Sequence, residues 1–446
     1  MSQADAWHLL SPLRPISLPL RGRGVREGVG TSPSAQLYEG VEVVHMRLHP
    51  LAVVAVLALA GCGYRDTTSV NPPVSSPADF MIYVQGASQG HSAGQIKQVP
   101  FGTPAPGWST LYTVVDGSSG STLRALDVKS GKVLHETHFD AKYGLPNRGY
   151  AGKPGGLSEN GQWLVLRHQE SGRSNFLVVG TDFTGTPRRA DLNGVFEFDA
   201  VTNDGRRLYL VEYTSADHLL YQVRQYDLAG GYLDPHVVVD KTSGALAMSG
   251  VRLTSLASPG GQFVYSLYVN GRRGPFIHAL DTANGFATCV FLPRATSTRD
   301  QEQRWAEVIS PDGLTLYAVN GSLGLITKMD ISGSFAKILR TSTFETIHAS
   351  SRPAVADAWV TSEGRTLFTT ADRGVIAIDT DSLAARARYL TDSTVDELAL
   401  SPDGGWLFAI DGALGKVYEL NAATGGLSQQ ITGLVMPAHI VGVQHL

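Results

Sequence analysis

One phrase recurs along the chain and constrains its fold more than any other feature. It is a short apolar stretch, then Ser/Thr-x-x-Gly, then an apolar-aromatic strand. Ile309-Ser-Pro-Asp-Gly313 leads into Leu314–Asn320, and Leu400-Ser-Pro-Asp-Gly404 leads into Gly405–Asp411. Val360-Thr-Ser-Glu-Gly364 is close to both. Weaker copies start at Leu157, Val201 and Ala257, and the weakest at Thr103. The turn glycines are 107, 161, 205, 261, 313, 364 and 404, spaced 54, 44, 56, 52, 51 and 40 residues apart. A unit of this size cannot bury its own apolar face, so copies must stack on one another. Proline presets φ for the turn, Asp or Asn bonds the backbone two residues on, and Gly takes the positive φ that follows.

Each copy continues the same way. A second strand ends in Asp, as at Asp127, Asp227, Asp281, Asp330 and Asp379, and a Ser/Thr/Asn-Gly turn often follows. These aspartates are read as turn formers. A further strand closes the unit. Four antiparallel strands per 40–55 residues are the mark of a β-propeller blade. The glycine content, 49 of 446 residues, exceeds the usual ~7% because glycine returns at every turn. The pattern resembles the YVTN/YncE-like repeat family, and Leu316-Tyr-Ala-Val-Asn-Gly321 matches its name-giving segment best. The resemblance covers about 101–446 and implies an all-β, seven-bladed propeller of four-stranded antiparallel blades. It is WD40-like in architecture, but no copy carries the Gly-His and Trp-Asp pair of true WD40 blades. Seven turn glycines give the same count. The ring is expected to close through His439–Gln444, paired with the strand near Leu111–Val115. Phe80–Gln85 and Gln95–Pro100 are the competing partners.

The N-terminus has a different character. Met46-Arg-Leu-His-Pro50 precedes an apolar run, Leu51–Ala60, and then Gly61-Cys62. The run is too short to span a bilayer, which takes ~20 residues, but suits a signal-peptide core. Leu59-Ala-Gly-Cys62 resembles the lipobox of bacterial lipoproteins, which implies cleavage before Cys62 and lipid on its thiol. Residues 1–45 are read as an over-extended gene model, disordered, with 46–61 the signal peptide. Residues 62–79 are a flexible Ser/Pro/Thr-rich tether and 80–446 the propeller. The resemblance implies a cell-envelope protein, anchored by lipid to the outer membrane or to the outer face of the plasma membrane. Cys289 is left as a lone thiol and is expected to be a buried strand residue.

A net charge of 36 minus 40, or −4, argues against nucleic acid as a partner. Two cysteines cannot form a disulfide scaffold or a multi-Cys zinc site. No nucleophile elbow, zinc-binding His pair, phosphate loop or dinucleotide fingerprint occurs. No cofactor is predicted. The axial mouth is the expected site, formed by long connectors between blades: Phe139–Gly156, Pro293–Arg304 and Thr341–Arg352. They bring His138, Tyr143, Arg148, Arg299, Arg304, Trp305, His348 and Arg352, a cationic and aromatic set suited to an anionic or carbohydrate ligand. Acidic residues stand before the turn glycines on the inner strands: Glu197, Asp199, Glu307, Asp357 and Glu397. Asp199, Glu307, Asp357 and Glu397 form a candidate acidic ring for a cation such as Ca²⁺, or else pair with Arg252 and backbone amides. The function expected is a binding or scaffold module for a protein, peptide or glycan partner in the envelope. The alternative is a propeller enzyme of lactonase, lyase or dehydrogenase-subunit type. Titratable side chains converging at the mouth favour an enzyme or metal site, and a flat apolar face favours a partner surface.

Overall fold

The computed structural model describes residues 75–85, 92–93, 95–150, 153–244, 247–349, 355–434 and 439–446. Residues 1–74, which include the expected over-extended start, signal peptide, Cys62 and most of the expected tether, lie outside the described residues, as does Arg352.

The repeat folds as its chemistry requires. In the turn at Gly313, its N–H donates to the Ser310 carbonyl at 2.8 Å and Thr315 N–H donates to Ser310 Oγ at 3.0 Å. Gly313 sits at φ +74°, a conformation costly for any residue with a Cβ. The turn at Gly404 repeats this arrangement around Ser401. The strand-end aspartates also act locally. Asp281 Oδ1 accepts from the N–H groups of Ala283 and Asn284, and Gly285 N–H returns to the Asp281 carbonyl.

Seven sheets follow the seven copies in chain order. The inner strands of blades 1, 3, 4, 5, 6 and 7 are Thr103–Pro104, Val195–Val201, Val251–Ala257, Trp305–Ile309, Ala358–Val360 and Glu397–Leu400. Blade 2 has three full strands, Trp163–Glu170, Arg173–Gly180 and Arg188–Asn193, and its inner edge is made by single bridges from Gly144 and Leu157. Middle strands are covered on both faces by neighbouring blades, so most of them are largely apolar. Phe263–Asn270 and Gly274–Asp281 are almost wholly buried. Outer strands such as Lys337–Thr343 face solvent on both sides and are largely polar.

The ring has an eighth sheet, which corrects the count of seven. Its inner strand is His439–His445, followed outward by Phe80–Gln85, Ile96–Val99 and Ser92–Ala93. The C-terminal strand therefore does not pair with Leu111–Val115. It pairs with Phe80–Gln85, from Phe80 opposite His445 to Gln85 opposite His439. The reason for the miscount is topological. Every repeat glycine lies in the turn between an inner strand and the next one out. In the eighth blade those two strands come from opposite ends of the chain, so there is no such turn to count. This blade also departs from a purely antiparallel pattern. The chain reaches the outermost strand before the third, so Ile96–Val99 lies parallel to Phe80–Gln85.

Buried apolar clusters cross all eight interfaces between blades. Phe80 and Ile82 meet Phe408 and Ile410 between blades 7 and 8. Tyr83 and Val99 meet Leu111 and Val128 between blades 8 and 1. Each such side chain contributes roughly 1.5–3 kcal/mol by burial. Cys289 is buried in the outer strand of blade 4, as expected. The last residues of the expected tether are docked. Trp406 Nε1 donates to the Ser75 carbonyl at 2.7 Å, and Ser76 caps a short turn over Pro77–Asp79.

Candidate functional site

In blades whose four strands alternate in direction, every inner strand runs the same way along the axis. Residues that begin those strands therefore meet at one end of the ring. There the structure gathers Lys153, Asp357, Glu397 and His439 from four different blades, around an axial cavity of about 440 Å³. Lys153 Nζ lies 3.6 Å from Asp357 Oδ2 and 3.6 Å from Glu397 Oε1. His439 Nδ1 is 2.8 Å from the same Glu397 oxygen. Backbone amides hold the other acceptor sites: Ile440 N–H donates to Glu397 Oε2 and Leu398 N–H to Asp357 Oδ2, both at 3.0 Å.

The four groups set one another's charge. Glu397 is almost wholly buried, which on its own would favour its neutral form. Lys153 and His439 outweigh burial and hold its carboxyl below the usual glutamate range. Burial also works against the Lys153 ammonium, but the two carboxylates hold it above the usual lysine range. The hydrogen bond to Glu397 raises His439 against the opposing effect of burial. For Asp357, burial and the nearby Glu397 prevail over Lys153, and its carboxyl is raised. The Lys153 side chain keeps 42% of its surface accessible, so this cluster opens into the cavity.

Other residues complete the lining. Arg148 projects into the cavity, and its guanidinium has no carboxylate partner among the described residues. Burial among neighbouring groups lowers its pKa, but a guanidinium stays charged. Phe101 and Trp359 contribute partly exposed rings. Glu307 borders the same space, yet both of its carboxylate oxygens are buried and without a hydrogen-bond partner among the described residues. Burial pushes its carboxyl well above the usual range, and the nearby Leu267 N–H opposes this only in part.

The residues expected at the mouth are dispersed. Arg148 lines the axial cavity. His138 lies on the exposed outer strand of blade 1, 3.3 Å from Thr122 Oγ1. Tyr143 is buried between blades 1 and 2, edge-on to Phe139. Arg304 is buried, with Nε donating to Ser322 Oγ at 2.6 Å and Nη2 to the Ala371 carbonyl at 2.9 Å. Trp305 is buried between blades 4 and 5. Arg299 opens a one-turn helix, Arg299–Glu302, on the surface. His348 is exposed, 3.9 Å from Asp372.

The acidic residues are on the inner strands or at their start, but they form no single ring. Asp357 and Glu397 share Lys153. Asp199 bonds Arg252 at 2.9 Å, and Glu197 accepts from the Tyr213 hydroxyl at 2.9 Å. Among the described residues no group of three or more His, Cys, Asp and Glu side chains is placed to hold a metal ion. Sequence reading passed over Lys153 and His439. Both stand at the start of inner-strand segments, as Asp357 and Glu397 do. A search for any titratable residue at that position, of either sign, would have found the cluster.

No family model matches the chain, and no curated protein matches it. Solved structures are similar to it at low identity. The periplasmic gluconolactonase PpgL of Pseudomonas aeruginosa is 16% identical, with a TM-score of 0.43 over 74% of this chain and 96% of that one. A candidate 6-phosphogluconolactonase of Bacteroides fragilis is 16% identical, with a TM-score of 0.42 over 77% of this chain and 100% of that one. Apo AztD of Citrobacter koseri is 12% identical, with a TM-score of 0.42 over 75% of this chain and 97% of that one.

Proposed function

We propose that this propeller is a binding module whose axial cavity takes a small anionic carbohydrate, such as a sugar acid. The cavity itself carries the reading. Its volume, about 440 Å³, is of the size that small-molecule sites use. Arg148 offers a fixed charge with no carboxylate partner among the described residues, suited to a carboxylate. Lys153, whose side chain stays accessible, offers a donor to hydroxyl groups, and the rings of Phe101 and Trp359 offer apolar faces to a pyranose.

The test is calorimetry and thermal shift with galacturonate and gluconate, against neutral galactose. A sugar acid is expected to bind and to raise the melting temperature, by about 2.7 kcal/mol of stabilisation at a hundredfold excess over Kd. Galactose should bind more weakly, and Arg148→Ala should weaken the acid by about tenfold or more, as for a lost charge-assisted pair. Equal binding by Arg148→Ala, or no binding of either acid, would refute the reading. Two observations favour an enzyme instead: Lys153, Asp357, Glu397 and His439 converge at one end of the ring, and Glu307 beside the cavity is a carboxyl that burial raises well above its usual range, as suits a proton donor. Hydrolysis of gluconolactone by the protein, lost in Glu307→Gln, would decide for that alternative.

The same proposal places the protein in the cell envelope, tethered by lipid on Cys62, where it would meet an envelope protein or glycan. The Leu59-Ala-Gly-Cys62 segment supports this. Mass spectrometry of the native protein should find a lipid-modified Cys62 as its first residue. A native N-terminus upstream of Cys62, without lipid, would reject it.

A further inference from the structure

A second recess lies away from the axis, on the face where the inner strands begin. Its walls are the hairpin turns 214–219 of blade 3 and 271–273 of blade 4, and the connector Pro293–Arg304. It is open and large, about 1130 Å³. Arg272, Arg294 and Arg299 line it. Arg294 donates to the carbonyls of Arg272 at 2.8 Å and Gly271 at 3.2 Å, and its charge meets no carboxylate among the described residues. The guanidiniums of Arg272 and Arg299 make no hydrogen bond or ion pair among the described residues. The acids in the wall are engaged in shaping the loops. Asp217 accepts from Ser215 Oγ and the Leu219 N–H, and Glu302 accepts from Ser297 Oγ.

We infer that this cleft docks an acidic peptide segment of a partner protein, one that alternates carboxylate and apolar side chains. Charge complementarity selects the carboxylates, because three arginines converge where the whole chain is net negative. The apolar component follows from Leu219 and Leu220, 47% and 49% exposed at the rim, with Val251 and Val269 in the wall. The lining contains no aromatic ring, and rings are the platform on which a sugar face packs. A peptide therefore fits better than a polyanionic glycan. The wall is also held in place before binding. Thr298 caps the helix Arg299–Glu302 reciprocally with Gln301, and the buried Arg304 pins the end of the connector to Ser322 and Ala371. A rigid wall loses little entropy on docking.

The test is fluorescence anisotropy with a labelled octapeptide of alternating Glu and Leu, a Lys–Leu counterpart, and polygalacturonate as competitor. The Glu–Leu peptide is expected to bind at least about tenfold more tightly than the Lys–Leu peptide at low salt. The double variant Arg272→Glu, Arg299→Glu should lose at least about tenfold in that affinity. Neither side chain is bonded to another among the described residues, so its melting curve should match that of the parent chain. Arg148→Ala should leave peptide binding unchanged, which separates this cleft from the axial cavity. No binding of the Glu–Leu peptide, equal affinity for both peptides, or an unaffected double variant would overturn the inference. Displacement by polygalacturonate at matched charge would also overturn it, in favour of a glycan.

Discussion

A chain that stops before His439 is expected to lose its cooperative thermal transition. The deleted strand is the inner strand of the eighth blade, and it comes from the opposite end of the chain to its neighbour. Without it, Phe80–Gln85 has a free edge and the cluster of Phe80, Ile82, Phe408 and Ile410 loses the cover of Ile440 and Val443. The loss extends beyond apolar contact. Glu397 is buried and takes hydrogen bonds from the ring of His439 and the amide of Ile440. Both go with the strand, and a buried acceptor left unsatisfied costs about 1–3 kcal/mol, more when it is charged. Domains are stable by only about 5–15 kcal/mol, so these losses together remove most of that margin. Circular dichroism on heating and size-exclusion chromatography should show a broad transition and aggregation. A milder variant isolates the same closure. At Gly442 a Cβ would come within 2.6 Å of the Trp108 ring, so Gly442→Val should destabilise without removing a hydrogen bond. A truncated chain that melts as sharply as the parent chain would mean that blade 8 does not hold the ring.

That prediction also shows how far the sequence could be read. The blades were legible because each repeat carries its own turn chemistry. Ser310 and Gly313, or Ser401 and Gly404, satisfy one another within a few residues, so local sequence is enough. The eighth blade was not legible by that route, because its inner strand and the next one out are 354 or more positions apart in sequence and share no turn. Even so, the apolar strand Phe80–Gln85 and the strand beginning at His439 were both recognisable as strands; their pairing was misassigned, with Leu111–Val115 expected in place of Phe80–Gln85. The axial cluster is a similar case. Asp357 and Glu397 were assigned to the inner strands, but nothing local says that Lys153, more than 200 residues earlier, stands between them. Arg304 misled for the opposite reason. An arginine at the end of a long loop reads as exposed, yet here its guanidinium is buried against Ser322 and the Ala371 carbonyl of blade 6. Burial of a charge depends on partners distant in sequence, and one chain alone does not reveal them.

Arg252 is the second place where a single change should have a large effect. Its side chain is nearly buried, and the Asp199 carboxylate beneath it is wholly so. Nη1 donates to Asp199 Oδ1 at 2.9 Å and Nη2 to the Phe198 carbonyl at 2.8 Å, joining the inner strands of blades 3 and 4. Burial alone would lower the arginine's pKa, but Tyr268, Asp199 and Glu197 more than offset this and raise it. Arg252 is therefore held in its charged form. Asp199 Oδ2 already lacks a hydrogen bond among the described residues, so the carboxylate depends on Arg252. Arg252→Ala leaves that charge buried and alone, at a cost of about 3–5 kcal/mol. The sign with pH follows from the same picture. In the variant, a lone buried carboxylate has its folded-state pKa raised above the unfolded value, so the folded chain holds a proton that the unfolded chain releases. Stability of the variant should therefore fall as pH rises between those two values, and its deficit should be smaller at pH 4 than at pH 8. Replacing both partners, Asp199→Leu with Arg252→Met, should recover most of the loss, because it removes the charge along with its partner. Urea unfolding of the three variants at both pH values tests this. A deficit that does not change with pH, or a double variant no better than Arg252→Ala, would show that Arg252 acts by packing between the blades instead of by neutralising Asp199.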